Sequence, residues 1–336
     1  MTPKQHLLTL YTRTPLHVGS GSSVDVVDLP IMRERITGFP IIPASSLKGV
    51  LLQRGRELRP SSATVPKDRA KKPKEILHPD NQLLFGAINS EGEGEDEKQL
   101  SHAGCVQIME AKILAFPVRS LAGCFAWLTC PSVLRRFQRD TGQLTEIKDG
   151  NTLPLSIPEV IVDRVIAGKD LHVPQQNIVV FEEYALERND AAAALDALAG
   201  ALAGLCDDEI WTGPLDAATP RQPAKTGGVF TRLAIVSDET FQHFVTTCTE
   251  VVTRIAIDPA TRTVAGKALF NQENVPCETL FYSVLTVLPA RTGRGGPEAD
   301  TALARLLPTE PPLLLQIGGD ETTGHGLCAC RRTSLA

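Results

Sequence analysis

The segment "RIAIDPATRTVAGKALFNQENVPCETLFYSVLTVL" (254–288) decides the fold, because it holds strand-like runs separated by two turn signals. Asp258-Pro259 marks a turn inside the segment, and Val275-Pro276 precedes a strongly apolar run. We predict that residues 255–276 form a β-hairpin that projects from the protein. After this hairpin the chain returns to a core strand.

Strand-like and helix-like patterns alternate through the rest of the chain. The predicted strands are 5–12, 105–118, 124–130, 178–186, 229–237 and the two arms of 312–331. The predicted helices are 45–58, 189–205 and 238–255. This interleaving predicts an α+β fold, a ferredoxin-like (RRM-like) core of the split β-α-β type with large insertions.

The helix predictions carry details that a structure can check. Ser45 or Ser46 should cap the first helix, whose apolar face is Leu47, Val50 and Leu51. An Asn or Asp should cap the second. In the third, one apolar face should contain Phe241, Phe244, Val245, Cys248 and Val252.

Length and composition bound the class of protein. The 336 residues, 42% hydrophobic and 22% charged, suffice for a real core. Because no linker or internal repeat interrupts them, we expect one domain over 1–336. Neither a signal peptide nor a membrane span is visible, which predicts a soluble cytoplasmic protein. Eight scattered cysteines without a CxxC pair indicate reduced thiols and no structural zinc.

The net charge of −5 hides a sharp local asymmetry. Residues 48–74 contain nine Lys and Arg against two acids, whereas residues 80–98 contain six acids against one Lys. We expect loops at 60–80 and 89–102, and thus an insertion over about 54–104 that is basic and then acidic. A basic track is what a nucleic-acid-binding protein needs, although a solvated loop explains it equally well.

No strong catalytic motif is present: the sequence lacks GxxxxGK[ST], HExxH, GxSxG and a GxGxxG after a strand. Three weaker features remain. The glycine-serine loop 19–23 and the loop 318–326 are rich in backbone amides that could approach a phosphate, though plain turns explain both. Lys48, placed in the first turn of its helix, could bind an anion together with Arg33 and Arg35, or could simply be solvated.

Aromatic residues are too scarce to support much base stacking. They make up 5% of the chain, and the core needs most of them. A nucleic acid bound here should therefore be held by its phosphates and riboses more than read by its bases.

Five blocks of the sequence, in order along the chain, resemble a known family. They are "HVGSGSSVDVVDLPIMRERITGFPIIPASSLKGVLL" (17–52), "LLFGA" (83–87), "AFPVRSLAGCFAWLTCP" (115–131), "GKALFNQENVPCETLFYS" (266–283) and "QIGGDETTGHGL" (316–327). The family is the backbone subunit of the type III-B CRISPR effector, the RAMP-superfamily Cmr complex.

The resemblance implies a ferredoxin-like palm and a hairpin thumb, here 255–276. It implies that several copies polymerise along a CRISPR guide RNA together with the other effector subunits. It also implies cleavage of bound target RNA at regular intervals, with a catalytic, metal-binding aspartate at Asp28 and Mg²⁺ or another divalent ion. The guide-gripping lysine falls on Lys48. The candidate RNA contacts are His17, Gly19, Ser20, Arg33, Arg35, Ser46, Lys48, Arg54, Lys267, Gly318, Gly319, Thr322, Thr323 and Gly324.

Two departures from the family bear on these assignments. Asp25 stands where the family carries non-acidic residues, and is either a solvated neighbour or a helper in the same metal site. Phe270-Asn271 stands where an aromatic pair is common in the thumb, so the thumb's contacts with RNA are open.

Chemistry makes a lone carboxylate reasonable, since RNA can supply its own 2′-OH as nucleophile. Asp28 would then hold a hydrated Mg²⁺ or act directly on the 2′-OH. Two other functions remain open at this point: a non-catalytic scaffold that coats guide RNA, and a metabolic enzyme on a ferredoxin-like fold.

Overall fold

The computed structural model describes residues 3–22, 26–60, 62–64, 74–87, 102–141, 157–189, 191–214, 216, 225–289, 299–310 and 313–335. The strands are β1 (Lys4–Thr12), β2 (Ile41–Ile42), β3 (Ser62–Thr64), β4 (Lys74–Ile76), β5 (Gly86–Ala87), β6 (His102–Ala103), β7 (Val106–Ile108), β8 (Ala111–Arg119), β9 (Phe125–Thr129), β10 (Arg164–Ala167), β11 (Ile178–Phe181), β12 (Tyr184–Arg188), β13 (Leu233–Val236), β14 (Glu250–Ile257), β15 (Val264–Asn274), β16 (Leu280–Val287), β17 (Leu313–Gln316) and β18 (Leu327–Ser334). The helices are α1 (Ala44–Leu58), α2 (Pro79–Phe85), α3 (Pro131–Asp140), α4 (Ala192–Ala203), α5 (Glu209–Thr212), α6 (Val229–Arg232), α7 (Asp238–Thr247) and α8 (Ala299–Leu306).

One large mixed sheet organises the described chain. Its order is β11-β12-β10-β13-β9-β8-β16-β1-β18-β17, with β2 also on β8 and β7 also on β16. The pairs β9–β13 and β10–β12 are parallel, and the other neighbours in this order are antiparallel. The protein is therefore a mixed α/β chain.

Four central strands, β8-β16-β1-β18, form an antiparallel unit. Helix α1 lies between β1 and β8 along the chain, and α8 lies between β16 and β18. Each helix therefore lies in a connection between two strands of this unit. Along the chain, the hairpin strands β14 and β15 come between these two connections, directly before β16.

Buried aromatic rings join the two halves of the sheet. Tyr11 of β1 meets Trp211 of α5 edge to face at 5.8 Å, and Trp211 meets Trp127 of β9 at 5.0 Å. All three side chains are fully buried. Such a cluster contributes large apolar area as well as favourable ring geometry, and so fixes β1 and β9 in one core.

The apolar face predicted for α1 is present, but the predicted start and cap of the helix are wrong. Leu47 and Leu51 are buried, whereas the N-cap is Pro43 and no side chain caps the helix. Ser46 lies within the first turn. The amide of Leu47 already donates to the carbonyl of Pro43 at 3.1 Å, so Lys48 lies beyond the unpaired first-turn amides.

Other boundaries differ from the prediction because local patterns fit two structures. Residues 178–186 form a hairpin, β11–β12, with Glu182 at a φ of +49° in the turn. Residues 229–232 form one helical turn, α6, before the strand β13. Helix α7 ends at Thr247, so Cys248 is its C-cap and Val252 belongs to β14.

Two more predictions concern a helix start and loops. Helix α4 starts after Ala191, which offers no capping side chain, so the expected Asn or Asp cap is wrong. Of the predicted loop 60–80, residues 62–64 and 74–76 pair as β3–β4 and α2 begins at Pro79. Residues 65–73 and 88–101 of the basic and acidic insertion lie outside the described residues.

The segment 254–288 gives a hairpin and a core strand. Strands β14 and β15 pair antiparallel with each other as a separate two-stranded sheet. The side chain of Asp258 accepts bonds from the amides of Ala260 and Thr261 at the turn. Exposed apolar side chains on both strands, such as Ile255 and Leu269, show that the outer hairpin stands clear of the core.

Among the described residues, no helix is long and apolar enough to cross a bilayer. The eight cysteines are free, and five of them are buried. Burial raises the pKa of Cys328 to about 12, which keeps this thiol protonated and unreactive.

Candidate functional site

Three segments far apart in the chain meet at the inner end of the hairpin. We call them the N-terminal loop (residues 13–22 and 26–33), the hairpin base (residues 250–254 and 270–274) and the C-terminal loop (residues 317–326). Bridges link Leu16 to Val275 and Leu29 to Gln272, and the amide of Gly319 donates to the carbonyl of His17 at 2.9 Å. Three of the blocks singled out in the sequence therefore form one site.

Asp28 is an exposed carboxylate held against the hairpin base. Its Oδ2 accepts the amide of Asn271 at 2.8 Å. The backbone continues this contact, because the amide of Leu29 donates to the carbonyl of Asn271 and the amide of Glu273 donates to the carbonyl of Leu29, both at 3.0 Å. One carboxylate oxygen is thus oriented while the side chain still faces solvent.

Glu273 is the polar centre of the site and is buried. Its carboxylate accepts the Arg33 guanidinium at 2.5 Å, the Thr249 hydroxyl at 2.7 Å and the amide of Ile31 at 3.0 Å. Arg33 also donates to the carbonyls of Gly38 and Val245, at 2.7 and 2.9 Å. The Arg33 guanidinium, which the sequence predicts to contact RNA, therefore binds groups of the protein itself.

His17 links the same parts from the other side. It is buried, and its Nδ1 lies 2.7 Å from the carbonyl of Glu273. A Cβ at Gly19 would lie 2.8 Å from the His17 Nε2, and one at Gly318 would lie 2.2 Å from the His17 carbonyl oxygen. Close packing against His17 thus explains these two glycines.

The C-terminal loop reaches the hairpin through Asp320. Its Oδ1 pairs with Arg254 of β14 at 3.0 Å, and its Oδ2 accepts Gln272 of β15 at 2.6 Å. Arg254 also lies 3.2 Å from the His325 Nε2. Burial raises the pKa of Glu250 on the same strand, an effect that nearby His325 opposes.

The remaining predicted residues differ in their placement. Ser20 is exposed, and its amide and hydroxyl both contact the carbonyl of Pro30, at 3.0 and 3.2 Å. Arg35 is exposed in a turn, and Lys48 is exposed on α1. Arg54 instead donates to the carbonyl of Leu306 on α8 at 2.9 Å, and burial lowers its pKa.

Predicted residues of the C-terminal loop lie at its surface. Thr322, Thr323 and Gly324 are exposed, and Gly324 has a φ of +81°. The side chain of Lys267, on the outer hairpin, and all of Asp25 lie outside the described residues.

The donor set at Asp28 limits what a metal site could be. Within the described residues, no group of three His, Cys, Asp or Glu side chains could hold a metal ion. Mg²⁺ commonly uses one or two carboxylates and takes its other ligands from water and phosphate. The single oriented carboxylate of Asp28 fits that kind of site, and does not fit a cage made by protein alone.

The sequence-based interpretation missed the buried polar residues of the hairpin base. Gln272, Glu273 and Asn274 are each less than a tenth exposed, although they lie in a strand that leaves the core. The run "NQEN" (271–274) between apolar stretches was the available signal, since consecutive polar residues at a strand end need partners on both faces.

Comparison with known proteins agrees with this architecture. The sequence profile of the RAMP superfamily matches residues 9–329. A curated relative from Pyrococcus furiosus, the CRISPR system Cmr endoribonuclease Cmr4, is 37% identical over 96% of this chain and 94% of its own length. The crystal structure of oligomeric Cmr4 from the same organism has a TM-score of 0.66 at 30% identity and covers 99% of both chains.

A more distant match shows the fold alone. A chain in the structure of the type III-B Cmr-beta bound to cognate target RNA has a TM-score of 0.61 at 18% identity, covering 98% of this chain and 96% of that one. This chain belongs to the RAMP superfamily and, within it, to the Cmr4 family. It is thus a homologue of an endoribonuclease that serves in a CRISPR Cmr system.

Proposed function

We propose that this chain binds CRISPR guide RNA as the repeating backbone subunit of a type III-B effector and cleaves complementary target RNA at regular intervals. The 37% identity to a Cmr endoribonuclease over nearly the whole chain supports the activity. The oligomeric form of the Pyrococcus relative supports the assembly of several copies. In this proposal the copies line one guide RNA and join other effector subunits.

We interpret the central sheet as a ferredoxin-like palm and the hairpin as its thumb. The order β8-β16-β1-β18, all antiparallel, with α1 and α8 as crossovers, supports the palm. The exposed apolar side chains on both hairpin strands support a thumb that contacts RNA or a neighbouring copy.

The observation that carries the proposed cleavage is the position of Asp28. This carboxylate is exposed, and the amide of Asn271 orients one of its oxygens where the hairpin leaves the protein. A duplex splayed by the hairpin would present its backbone at this place.

Asp28 needs little help if the RNA supplies the nucleophile. With the 2′-OH, the phosphorus and the leaving 5′-oxygen in line, orientation alone can lower the barrier by about 7–11 kcal/mol in the best cases. Asp28 could accept the 2′-OH proton, or hold a hydrated cation through its outward oxygen. A divalent ion such as Mg²⁺, when bound, would stabilise charge on the phosphate.

Guide binding would use two surface loops and exposed cations. The glycine-serine loop around Gly19 and Ser20 and the loop around Gly324 are both at the surface of the site. Lys48 is exposed on α1, and its side chain makes no hydrogen bond or ion pair within the described residues. These groups recognise phosphate without regard to sequence, as a guide-coating subunit requires.

The decisive experiment compares Asp28→Ala with Asp25→Ala in the complete effector assembled on guide RNA, with complementary target RNA and Mg²⁺. We expect both variants to bind target, and only Asp28→Ala to lose the evenly spaced cuts. Asp25→Ala removes the same charge three residues away. Retained cuts would identify Asp25 as a solvated neighbour, whereas lost cuts would show that it helps in the same metal site.

Other outcomes would overturn parts of the proposal. Undiminished cleavage by Asp28→Ala would remove Asp28 as the catalytic residue. If the unsubstituted effector binds guide and target but makes no spaced cuts, the chain is a non-catalytic scaffold. If the purified protein carries no RNA and remains a monomer, a metabolic function is favoured instead.

A further inference from the structure

A single carboxylate of the C-terminal loop holds both strands of the hairpin. Asp320 reaches Arg254 on β14 through Oδ1 and Gln272 on β15 through Oδ2, at 3.0 and 2.6 Å. In the strand register, Gln272 is opposite Val252 and Arg254 is opposite Phe270. Arg254 and Gln272 are therefore diagonal neighbours on one face of the hairpin.

The loop geometry holds the Asp320 carboxylate in place. Asp320 has a φ of +63°, in the left-handed region that a non-glycine residue rarely adopts. Its carbonyl accepts the amide and the hydroxyl of Thr323, at 3.0 and 2.9 Å, and the amide of His325 at 3.3 Å. Because these bonds fix the backbone, the carboxylate is pre-positioned toward the hairpin.

The partners of Asp320 have few alternatives. Gln272 is almost fully buried, and its amide otherwise donates to Asn274 Oδ1 at 3.0 Å. The Asn274 Nδ2 is itself buried without a partner in the described chain. Loss of the carboxylate would therefore leave this polar cluster under-satisfied, which favours displacement of β15.

The contact lies directly beside the bonds that orient Asp28. Gln272 is flanked by Asn271, whose amide donates to Asp28, and by Glu273, whose amide donates to the carbonyl of Leu29. A shift of Gln272 must move these neighbours, since they share one strand. The Asp320 contact thus acts on the strand whose Asn271 amide orients Asp28.

We propose that Asp320 is a positioning residue, one that sets the hairpin against Asp28 and thereby sets the rate and the place of target cleavage. This inference rests on the proposed function, since it assumes that Asp28 acts on RNA splayed by the hairpin. The bidentate contact across two strands carries it.

The first test measures hydrogen exchange on the full-length protein. We expect Asp320→Ala to speed exchange of the amides of 271 and 273 about tenfold, which corresponds to ~1.4 kcal/mol of local opening. Asp320→Asn keeps one acceptor and should give a smaller change. Glu321→Gln is the matched control, because this exposed neighbour has no side-chain bond within the described chain.

The second test uses the assembled effector with guide RNA and saturating target RNA. For Asp320→Ala we expect unchanged guide retention and target affinity, single-turnover cleavage slower by about tenfold, and cuts spread to adjacent phosphodiesters. Asp320→Asn should fall between it and the unsubstituted complex. A merely structural role would not move the cut position.

Each contrary result has a distinct meaning. If Asp320→Ala matches Glu321→Gln in exchange, or in cleavage rate and cut position, the inference is wrong. Loss of guide RNA from Asp320→Ala would also overturn it, because Asp320 would then serve RNA binding. Asp28→Ala is assayed in parallel, so that failure of the proposed function can be told from failure of this inference. If the Asp28→Ala complex still cuts, Asp28 is not the catalytic residue. Hydrogen exchange at 271 and 273 still decides whether Asp320 fixes the hairpin base.

Discussion

Glu273 should be among the most costly polar residues to remove from this protein. Its carboxylate receives bonds from Arg33, Thr249 and the amide of Ile31, and its side chain is 9% exposed. Glu273→Ala would leave a partly buried guanidinium without its counter-charge and a buried amide without an acceptor. Breaking such a pair from one side costs about 3–5 kcal/mol.

Two features of the structure place the loss near the lower bound. The Arg33 side chain is 21% exposed, so water can reach part of the guanidinium. Arg33 also keeps the carbonyls of Gly38 and Val245 as acceptors. We therefore expect Glu273→Ala to lower the free energy of unfolding by about 3 kcal/mol. Glu273→Gln, which keeps the shape and one acceptor oxygen, should cost about 1.5 kcal/mol.

Urea unfolding of the full-length protein measures this directly, because the fully buried Trp127 and Trp211 report loss of the core. Glu183→Ala, at an exposed turn, is the control and should change stability by less than about 0.5 kcal/mol. A double-mutant cycle with Arg33→Met should give a coupling energy of about 1.5 kcal/mol. The reasoning is refuted if the free energy of unfolding of Glu273→Ala lies within about 1 kcal/mol of that of the unsubstituted protein and falls equally steeply with urea concentration.

Two further predictions concern charge. Lys48→Glu should weaken guide-RNA binding for every sequence and make the slope of log affinity against log salt concentration shallower by about 0.7. Fluorescence anisotropy at several salt concentrations measures both effects. A loss of affinity confined to some sequences would show that Lys48 reads bases. Burial and the nearby Arg332 lower the pKa of His6, so the unfolded chain binds more protons in acid. The melting temperature should therefore fall as pH drops through about 6.5, and this fall should be smaller in His6→Gln.

Sequence patterns predicted which helices and strands form better than they predicted where each one ends. Helix α7 shows why: Cys248 and Val252 continue its four-residue spacing, yet the helix ends at Thr247. The run Val251-Val252-Thr253 is β-branched and prefers a strand. Helical spacing and strand preference overlap at this point, and pairing with β15 decides between them.

Capping was the least predictable detail of the helices. Ser45 and Ser46 have the right chemistry for an N-cap, but Pro43 takes the position and α1 begins at Ala44. Pro43 already holds an extended backbone, so the helix can begin at the next residue, Ala44, without a side-chain cap. Side-chain caps do form on other helices: Ser237 at the start of α7, for example, accepts the amide of Thr240.

The site itself was predicted in its parts and not in its connections. Asp28 came from family resemblance and the C-terminal loop from its glycines and hydroxyls, whereas their bonds join residues far apart in the chain, 243 positions apart for Asp28 and Asn271. No local period can reveal that Gln272 points at Asp320, or that Glu273 points at Arg33. Such pairings depend on how β15 lies between the two loops.

Arg33 shows how this connectivity changes a functional interpretation. Its sequence context, beside Arg35 and ahead of a helix, suits a phosphate contact, yet the guanidinium is filled by a carboxylate and two carbonyls. An arginine so occupied has few donors left for RNA. Arg35, exposed two residues later, is better placed for that role. If so, Arg33→Met should lower stability, whereas Arg35→Met should leave stability unchanged and weaken guide binding. The reverse pattern would mean that the ion pair opens when RNA binds.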